Sequence, residues 1–305
     1  MRILILGAGA IGGFFGARLL QAGTDVSFLV RPARAALLRE HGLCVHGRTF
    51  EFSQRVNTLC AVEHAFDLVL LSCKAGDLDG AIDVITPAVG ARTRVLPLLN
   101  GLRHLDRLDA AFGAQRVLGG LAHISVTLED DGAIRQFGTL ERLGFGSRDA
   151  GMPVPAPIRA ALLAISSQVV EQPDILAAMW DKLAFIATLA GITCLMRAAV
   201  GSIVASDGGA ALIERLYAEC CAIAARSGHP VATAAREAAR VTLTTPDSPL
   251  KASMLRDLER GATTEAEHIL GDLHHRANGF GLDVPLLTAA LCHLRVYEAT
   301  RGSVR

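Results

Sequence analysis

The sequence predicts an α/β fold: a doubly wound parallel sheet at the N-terminus followed by an all-helical second domain. Three observations carry that expectation. The first sixteen residues read strand, glycine turn, helix. Two further apolar runs, at 67–73 and 94–99, repeat the signature of a strand buried on both faces and alternate with helical pattern. After Pro173 nearly every segment has helical periodicity. At 305 residues the chain exceeds a usual single domain. Pro173 marks the boundary, giving domains at 1–172 and 173–305.

Ile3-Leu4-Ile5-Leu6 has no polar interruption and runs into Gly7-Ala8-Gly9-Ala10-Ile11-Gly12, after which the pattern is helical to Gly23. This is G-x-G-x-x-G between a strand and a helix, the dinucleotide-binding fingerprint of a Rossmann-type domain. Gly7 makes the tight turn, Gly9 admits a pyrophosphate close to the backbone, and Gly12 lets helix pack on strand. The pyrophosphate suits the helix N-terminus, where unpaired N–H groups and the helix dipole favour an anion. The second strand is Asp25–Val30. A site for NAD usually places an acid at its end, about twenty residues after the turn. Here Arg31 stands there, Arg34 follows one turn on, and no carboxylate lies between Arg31 and Glu40. Arginine forms bidentate hydrogen bonds with a phosphate, so the cofactor expected is NADPH, the alternative being two solvated loop arginines.

Residues 41–62 alternate in short runs that suit peripheral strands. The strand at 67–73 ends at Lys74, a helix covers Asp77 to Ile85, and the strand at 94–99 ends at Asn100-Gly101. Ligands of open α/β sheets bind beyond the carboxyl ends of strands, which makes Lys74 and Asn100 candidates. Ordinary turn chemistry is the alternative for both. Val117 to Gly146 holds three or four short strand-like runs with turns at 130–132 and Gly138, suggesting a mixed sheet. Pro153 to Ser166 reads as a helix and Gln168 to Glu171 as the last strand.

Asp174 is a plausible N-cap for a helix running through ILAAMWDKLAFIATLAGITCLMRAAV, apolar all round in its middle. Lys182 lies at the head of that stretch. A buried ammonium needs a partner or a task; the alternative is a lysine that reaches the surface. Gly208 to Arg226 is a helix. Ser248-Pro249 reads as a helix start, and that helix carries Ser253-Met254-Leu255-Arg256-Asp257. Thr264-Glu265-Ala266-Glu267 reads as a capping box, with Glu265 in the first turn of the next helix. His268, Asp272 and His275 share a face of it; no second cluster completes a metal set, so the expectation is a solvated face and no metal.

Thirty basic and thirty acidic residues cancel, which removes any global field toward nucleic acid or anionic membrane. The apolar run Leu183–Met196 is too short to span a bilayer, and only four apolar residues precede the glycines, so no leader is read. Seven cysteines without C-x-x-C spacing do not suggest a disulfide framework. The expectation is a cytoplasmic protein with reduced thiols.

Taken together, ILGAGAIGG, Lys74 in LSCKAGD, Asn100-Gly101, Trp180-Asp181-Lys182-Leu183-Ala184 and above all SMLRDLERGATTE resemble the ketopantoate reductase (2-dehydropantoate 2-reductase) family over the whole chain. The resemblance implies an NADPH-dependent oxidoreductase acting on CH–OH donors, which reduces ketopantoate to pantoate toward pantothenate and coenzyme A. By the same resemblance Lys182 protonates or polarises the carbonyl oxygen. Glu265 and Ser253 hold substrate hydroxyl and carboxylate, and Asn100 lies between nicotinamide and substrate. Where the family usually has asparagines this chain has Ile186, Ala190 and Leu270. A more apolar site leaves open a reductase of another 2-oxo acid, since discrimination rests on such polar partners. A dinucleotide-sensing protein without turnover would need only the glycine turn and Arg31. The apolar helical domain makes a homodimer plausible.

Overall fold

The computed structural model describes residues 1–48 and 50–301. Two compact units emerge: Met1–Asn100 with His104–Ile175, and Gly101–Arg103 with Leu176–Arg305. In the first, β1 (Arg2–Leu6), α1 (Ala10–Gln21), β2 (Asp25–Leu29) and α2 (Pro32–His41) are followed by β3 (Leu43–His46), β4 (Glu51–Gln54) and β5 (Asn57–Leu59). Then come β6 (Leu68–Leu71), α3 (Leu78–Ile85), β7 (Arg94–Pro97) and α4 (Arg103–Phe112). The unit closes with β8 (Gly119–Leu128), β9 (Ile134–Gly146), α5 (Ala156–Leu163) and β10 (Val169–Glu171).

Five strands form the parallel sheet in the order β5-β2-β1-β6-β7. Ile3, Leu4, Ile5 and all of β6 are fully buried, as the uninterrupted apolar runs require. The remaining strands do not extend this sheet, as the expected single mixed sheet implies. They make a second one, β10-β9-β3-β4, with β8 antiparallel to β9. Nor are there several short runs between 117 and 146: β8 and β9 are two long strands. The register jumps from Val126↔Gln136 to Ile124↔Glu141, so residues 137–140 bulge around Gly138 at φ +80° rather than ending the strand.

α1 packs between strands of both sheets. Phe14 and Phe15 are fully buried among Ile5, Phe28, Ile134 and Phe145 in one apolar core. Arg18 pairs with the buried Glu141 and lies 4.0 Å from the centre of the Phe50 ring. The cation–π contact and the ion pair together fasten the turn-bearing helix to β9.

The second unit is helical: α6 (Ile175–Met196), α7 (Val200–Val204), α8 (Gly209–Arg226), α9 (Thr233–Leu243), α10 (Ser253–Glu259), α11 (Asp272–Phe280) and α12 (Pro285–Thr300). α6 stops earlier than its apolar pattern suggests, because Arg197 turns left-handed at φ +54°. As a whole its 22 residues are long and apolar enough to cross a membrane by length and composition, and 67 % of its apolar window is buried inside the fold. It reads as a core helix.

Two helix starts differ from expectation. Ser248-Pro249 opens no helix: the Ser248 carbonyl accepts from Gly201 N–H (2.9 Å), and α10 begins at Ser253 after Ala252. The capping box does not form either. The Thr264 hydroxyl and amide both donate to Glu298 (2.7 Å each), and Glu267 pairs with Arg295 (2.6 Å). Glu265 therefore immediately precedes the helix rather than lying in its first turn. A π-helical turn, Glu267–Gly271, leads into α11.

All seven cysteines are free. Cys194, Cys220 and Cys221 are buried, Cys44 and Cys73 half-buried, Cys60 and Cys292 exposed. Burial pushes the Cys194 and Cys220 thiols up to about 12 and raises Cys221 as well.

Candidate active site

In the first unit the candidate residues follow the carboxyl ends of four adjacent parallel strands. Gly7, at φ +86°, donates its N–H to the Leu29 carbonyl (2.9 Å) and turns the chain away from β1. A Cβ on Gly12 would meet Ser72 Oγ and stand 2.6 Å from the Gly7 carbonyl, so only glycine permits this approach. Gly9 differs: a Cβ there would meet nothing within 4 Å. Gly9 is also the N-cap of α1, which no side chain caps. The turn thus presents open space beside first-turn amides, with Ala8 buried behind it and Ala10 and Ile11 starting the helix. That arrangement suits a pyrophosphate and is what a dinucleotide requires.

Arg31 follows β2 as the N-cap of α2, with 87 % of its side chain exposed and Nη2 3.6 Å from Asp77 Oδ1. Arg34 is turned away from Arg31's position toward the glycine turn. Its Nε and Nη2 donate to the Ala8 carbonyl (3.1 and 2.9 Å), bracing the glycine turn from behind. Lys74 is exposed beyond β6, opening the 3₁₀ turn Ala75–Asp77. Asn100 is half-buried beyond β7, where the Leu98 N–H bonds the Leu71 carbonyl (2.8 Å) and keeps the chain beside β6. Arg31, the glycine turn, Lys74 and Asn100 thus follow β2, β1, β6 and β7, which neighbour one another in the sheet.

In the second unit the candidate residues lie on or near α6. Trp180 stacks on His229 at 5.8 Å and lies under Arg276 at 5.4 Å. Asp181 accepts the Ala232 N–H (3.0 Å). These contacts fix the rotation of α6, and the next residue, Lys182, turns inward with 9 % exposure. Burial draws its ammonium down to about 8, and the nearby Glu265 carboxylate opposes that shift. The two residues are therefore within electrostatic reach of each other, although 83 positions apart in sequence.

Ile186 and Ala190 continue the Lys182 face of α6 at one-turn spacing. Leu270 is fully buried, with Cδ2 3.6 Å from where a Cβ on Gly191 would stand. Ile186, Ala190 and Leu270 thus put apolar side chains at three positions along or against α6. The segment carrying Glu265 is tied to α12: Glu298 holds Thr264, and Tyr297 Oη donates to the Ala262 carbonyl (2.8 Å). The Glu265 carbonyl accepts from both His268 and Ile269 N–H (3.1 Å each) as the π-helical turn begins. Ser253 stands exposed at the first position of α10, so Lys182 and Glu265 are the pair that burial and charge bring together.

His268 and Asp272 are not a solvated face. Both are buried, Asp272 pairing with Arg276 at 3.0 Å, while His275 alone is exposed. Among the described residues no three His, Cys, Asp or Glu side chains gather as metal ligands. The expected solvated face gives no hint that His268 packs against Gly101. Its Cδ2 would lie 3.0 Å from a Cβ on Gly101, a glycine at φ +84°. Only the irregular helix around it marks the position, and a π-helical turn leaves no trace in periodicity.

Comparison with known proteins matches the model of the ketopantoate reductase PanE/ApbA family over residues 3–150 and that of its C-terminal domain over 174–298. An uncharacterised oxidoreductase of Bacillus subtilis is 35 % identical over 305 residues, covering 99 % of this chain and 100 % of that protein. A PanE/ApbA family ketopantoate reductase from Ralstonia eutropha superimposes with TM-score 0.87 at 25 % identity, over 99 % and 100 % of the two chains. A D-mandelate dehydrogenase crystallised with NADH and anilino(oxo)acetate shares the fold at TM-score 0.87 and 21 % identity, again over 99 % and 100 %.

Proposed function

The chain belongs to the ketopantoate reductase family, and we propose that it reduces ketopantoate (2-dehydropantoate) to pantoate with NADPH, a step toward pantothenate and coenzyme A. It is an oxidoreductase of CH–OH donors that acts on small 2-oxo acids as a family. The observation that carries the reading is Lys182: an ammonium buried in an apolar helix beside a carboxylate, with its pKa drawn to about 8. Gly7 to Gly12, Arg31, Lys74 and Asn100 would hold the dinucleotide, which supplies the hydride when bound. Addition of hydride to a carbonyl leaves negative charge on its oxygen. The Lys182 ammonium would stabilise that charge and donate its proton to the same oxygen. A pKa near 8 keeps it protonated at neutral pH yet acidic enough to give the proton up. The Glu265 carboxylate can only accept hydrogen bonds, which suits it to the substrate hydroxyl. Ser253 would serve the substrate carboxylate.

A second reading rests on Ile186, Ala190 and Leu270: the substrate is a different 2-oxo acid, one without ketopantoate's hydroxyl. NADPH oxidation against a panel of 2-oxo acids decides. A kcat/KM ratio above about 10⁴ for ketopantoate over 2-oxo-3,3-dimethylbutanoate would mean that other groups replace the lost amides. A ratio near one would favour the second reading. A sensing role without turnover gives no reason to bury Lys182, and the absence of turnover with every 2-oxo acid would revive it. Seven free cysteines support a reducing, cytoplasmic setting, and balanced charge supports small molecules rather than nucleic acid or membrane as partners. The apolar helical unit supports a homodimer.

A further inference from the structure

Arg31 does not stand alone at the end of β2. Its Nη2 lies 3.6 Å from Oδ1 of Asp77, which closes the 3₁₀ turn Ala75–Asp77. The Asp77 amide bonds the Lys74 carbonyl (3.0 Å), so this turn fixes cation and carboxylate together. β2 and β6 flank β1 on either side. The turn after β6 therefore brings a carboxylate to the residue after β2, at the end of the sheet where the glycine turn lies. A site for NAD normally draws that carboxylate from the end of β2 itself, to bind the ribose 2′-hydroxyl. This chain has none there from Arg31 to Arg39.

We infer that Asp77 is a second specificity-determining residue of the cofactor site: it accepts a hydrogen bond from the 2′-hydroxyl of NADH and opposes the 2′-phosphate of NADPH. The inference rests on Arg31 as the 2′-phosphate ligand proposed above. At 3.6 Å the contact is too long for a hydrogen bond, and both side chains are exposed, at 87 % and 60 %. Such a pair contributes little to the fold and leaves both groups available to a ligand. A neutral 2′-hydroxyl can donate to Asp77 and leave the ion pair in place. A 2′-phosphate draws Arg31 away while meeting the carboxylate's repulsion. Arg34, held on the Ala8 carbonyl, cannot relieve that repulsion. The site is thus built to take both cofactors, with Arg31 and Asp77 setting the ratio.

The test is the dissociation constant of NADPH and of NADH, read from nicotinamide fluorescence, for wild type, Asp77→Asn, Asp77→Glu and Arg31→Ala. Asp77→Asn should tighten NADPH and weaken NADH, each by about threefold or more, the gain for NADPH shrinking as salt screens the repulsion. Asp77→Glu should retain NADH binding. If Asp77→Asn leaves both constants unchanged, or moves both in one direction, the inference is overturned. Arg31→Ala separates the two readings. If it abolishes the NADPH preference while Asp77→Asn is silent, Arg31 stands and Asp77 falls. If it is silent while Asp77→Asn weakens NADH, the carboxylate's role is supported and the assignment of Arg31 fails.

Discussion

Arg31 and Lys182 carry the same formal charge in opposite surroundings. One projects from the start of α2 with 87 % of its side chain in solvent; the other enters α6 with 9 % exposure. The sequence around each differs to match, a Pro–Ala–Arg helix start at the surface against the apolar middle of a core helix. A guanidinium stays charged at any working pH and offers a fixed fork of donors, which suits holding an anion. An ammonium is readily shifted by burial, which suits giving a proton away. The contrast teaches that position relative to water, rather than charge, decides which task each cation suits.

The largest effect that would break this contrast is loss of the buried group. Lys182→Ala should lower kcat by roughly 10²–10⁴ while NADPH binding stays near normal, measured by steady-state kinetics and cofactor titration. Retained kcat in that variant, with kcat lost in Glu265→Ala, would exchange the two roles.

Next comes pH. As the proposed acid Lys182 must be protonated, and burial draws its pKa down to about 8. kcat for reduction should hold below that pH and fall about tenfold per unit above it. Because Glu265 raises that pKa, Glu265→Gln should move the break to lower pH. A profile flat to pH 10 would remove Lys182 as the acid.

For the exposed group the expected effect is smaller. NADPH should bind at least about tenfold tighter than NADH, and Arg31→Ala should erase most of that difference in direct titrations. Equal affinities in the wild type would end the assignment. Smallest of all is salt: raising it from about 0.05 to 0.5 M should weaken NADPH binding a few-fold and leave the pH break in place. A break that moved with salt as much as binding does would mean Lys182 is no better shielded than Arg31.

Local features of the fold were legible, and distant ones were not. Gly7 to Gly12 could be read because strand, turn and helix are contiguous and each glycine answers a steric demand. The second sheet could not, since β3 meets β9 and β9 meets β10 across long separations that periodicity does not encode. The same reason explains both misplaced helix starts. Thr264 spends its hydroxyl on Glu298, 34 residues on, and Ser248 gives its carbonyl to Gly201. In the candidate site, Lys182 stood out as a lone cation in an apolar run, while its closeness to Glu265 came from resemblance and then from the fold. The contacts of Asp77 with Arg31 and of His268 with Gly101 stayed hidden because each partner lies far off in sequence.

The placement of the cysteines has a use of its own. All three buried thiols, Cys194, Cys220 and Cys221, belong to the helical unit, and burial has raised each thiol's pKa. A thiol-specific alkylating reagent needs the thiolate and a path to it, so these three can be modified only when the helices part. Cys60 and Cys292, in the open, set the rate of unhindered labelling. Mass spectrometry of a timed alkylation would therefore clock the breathing of the helical unit without any engineered probe. Ligand that stabilises that unit should slow the clock at Cys194, Cys220 and Cys221 and leave Cys60 at its open rate.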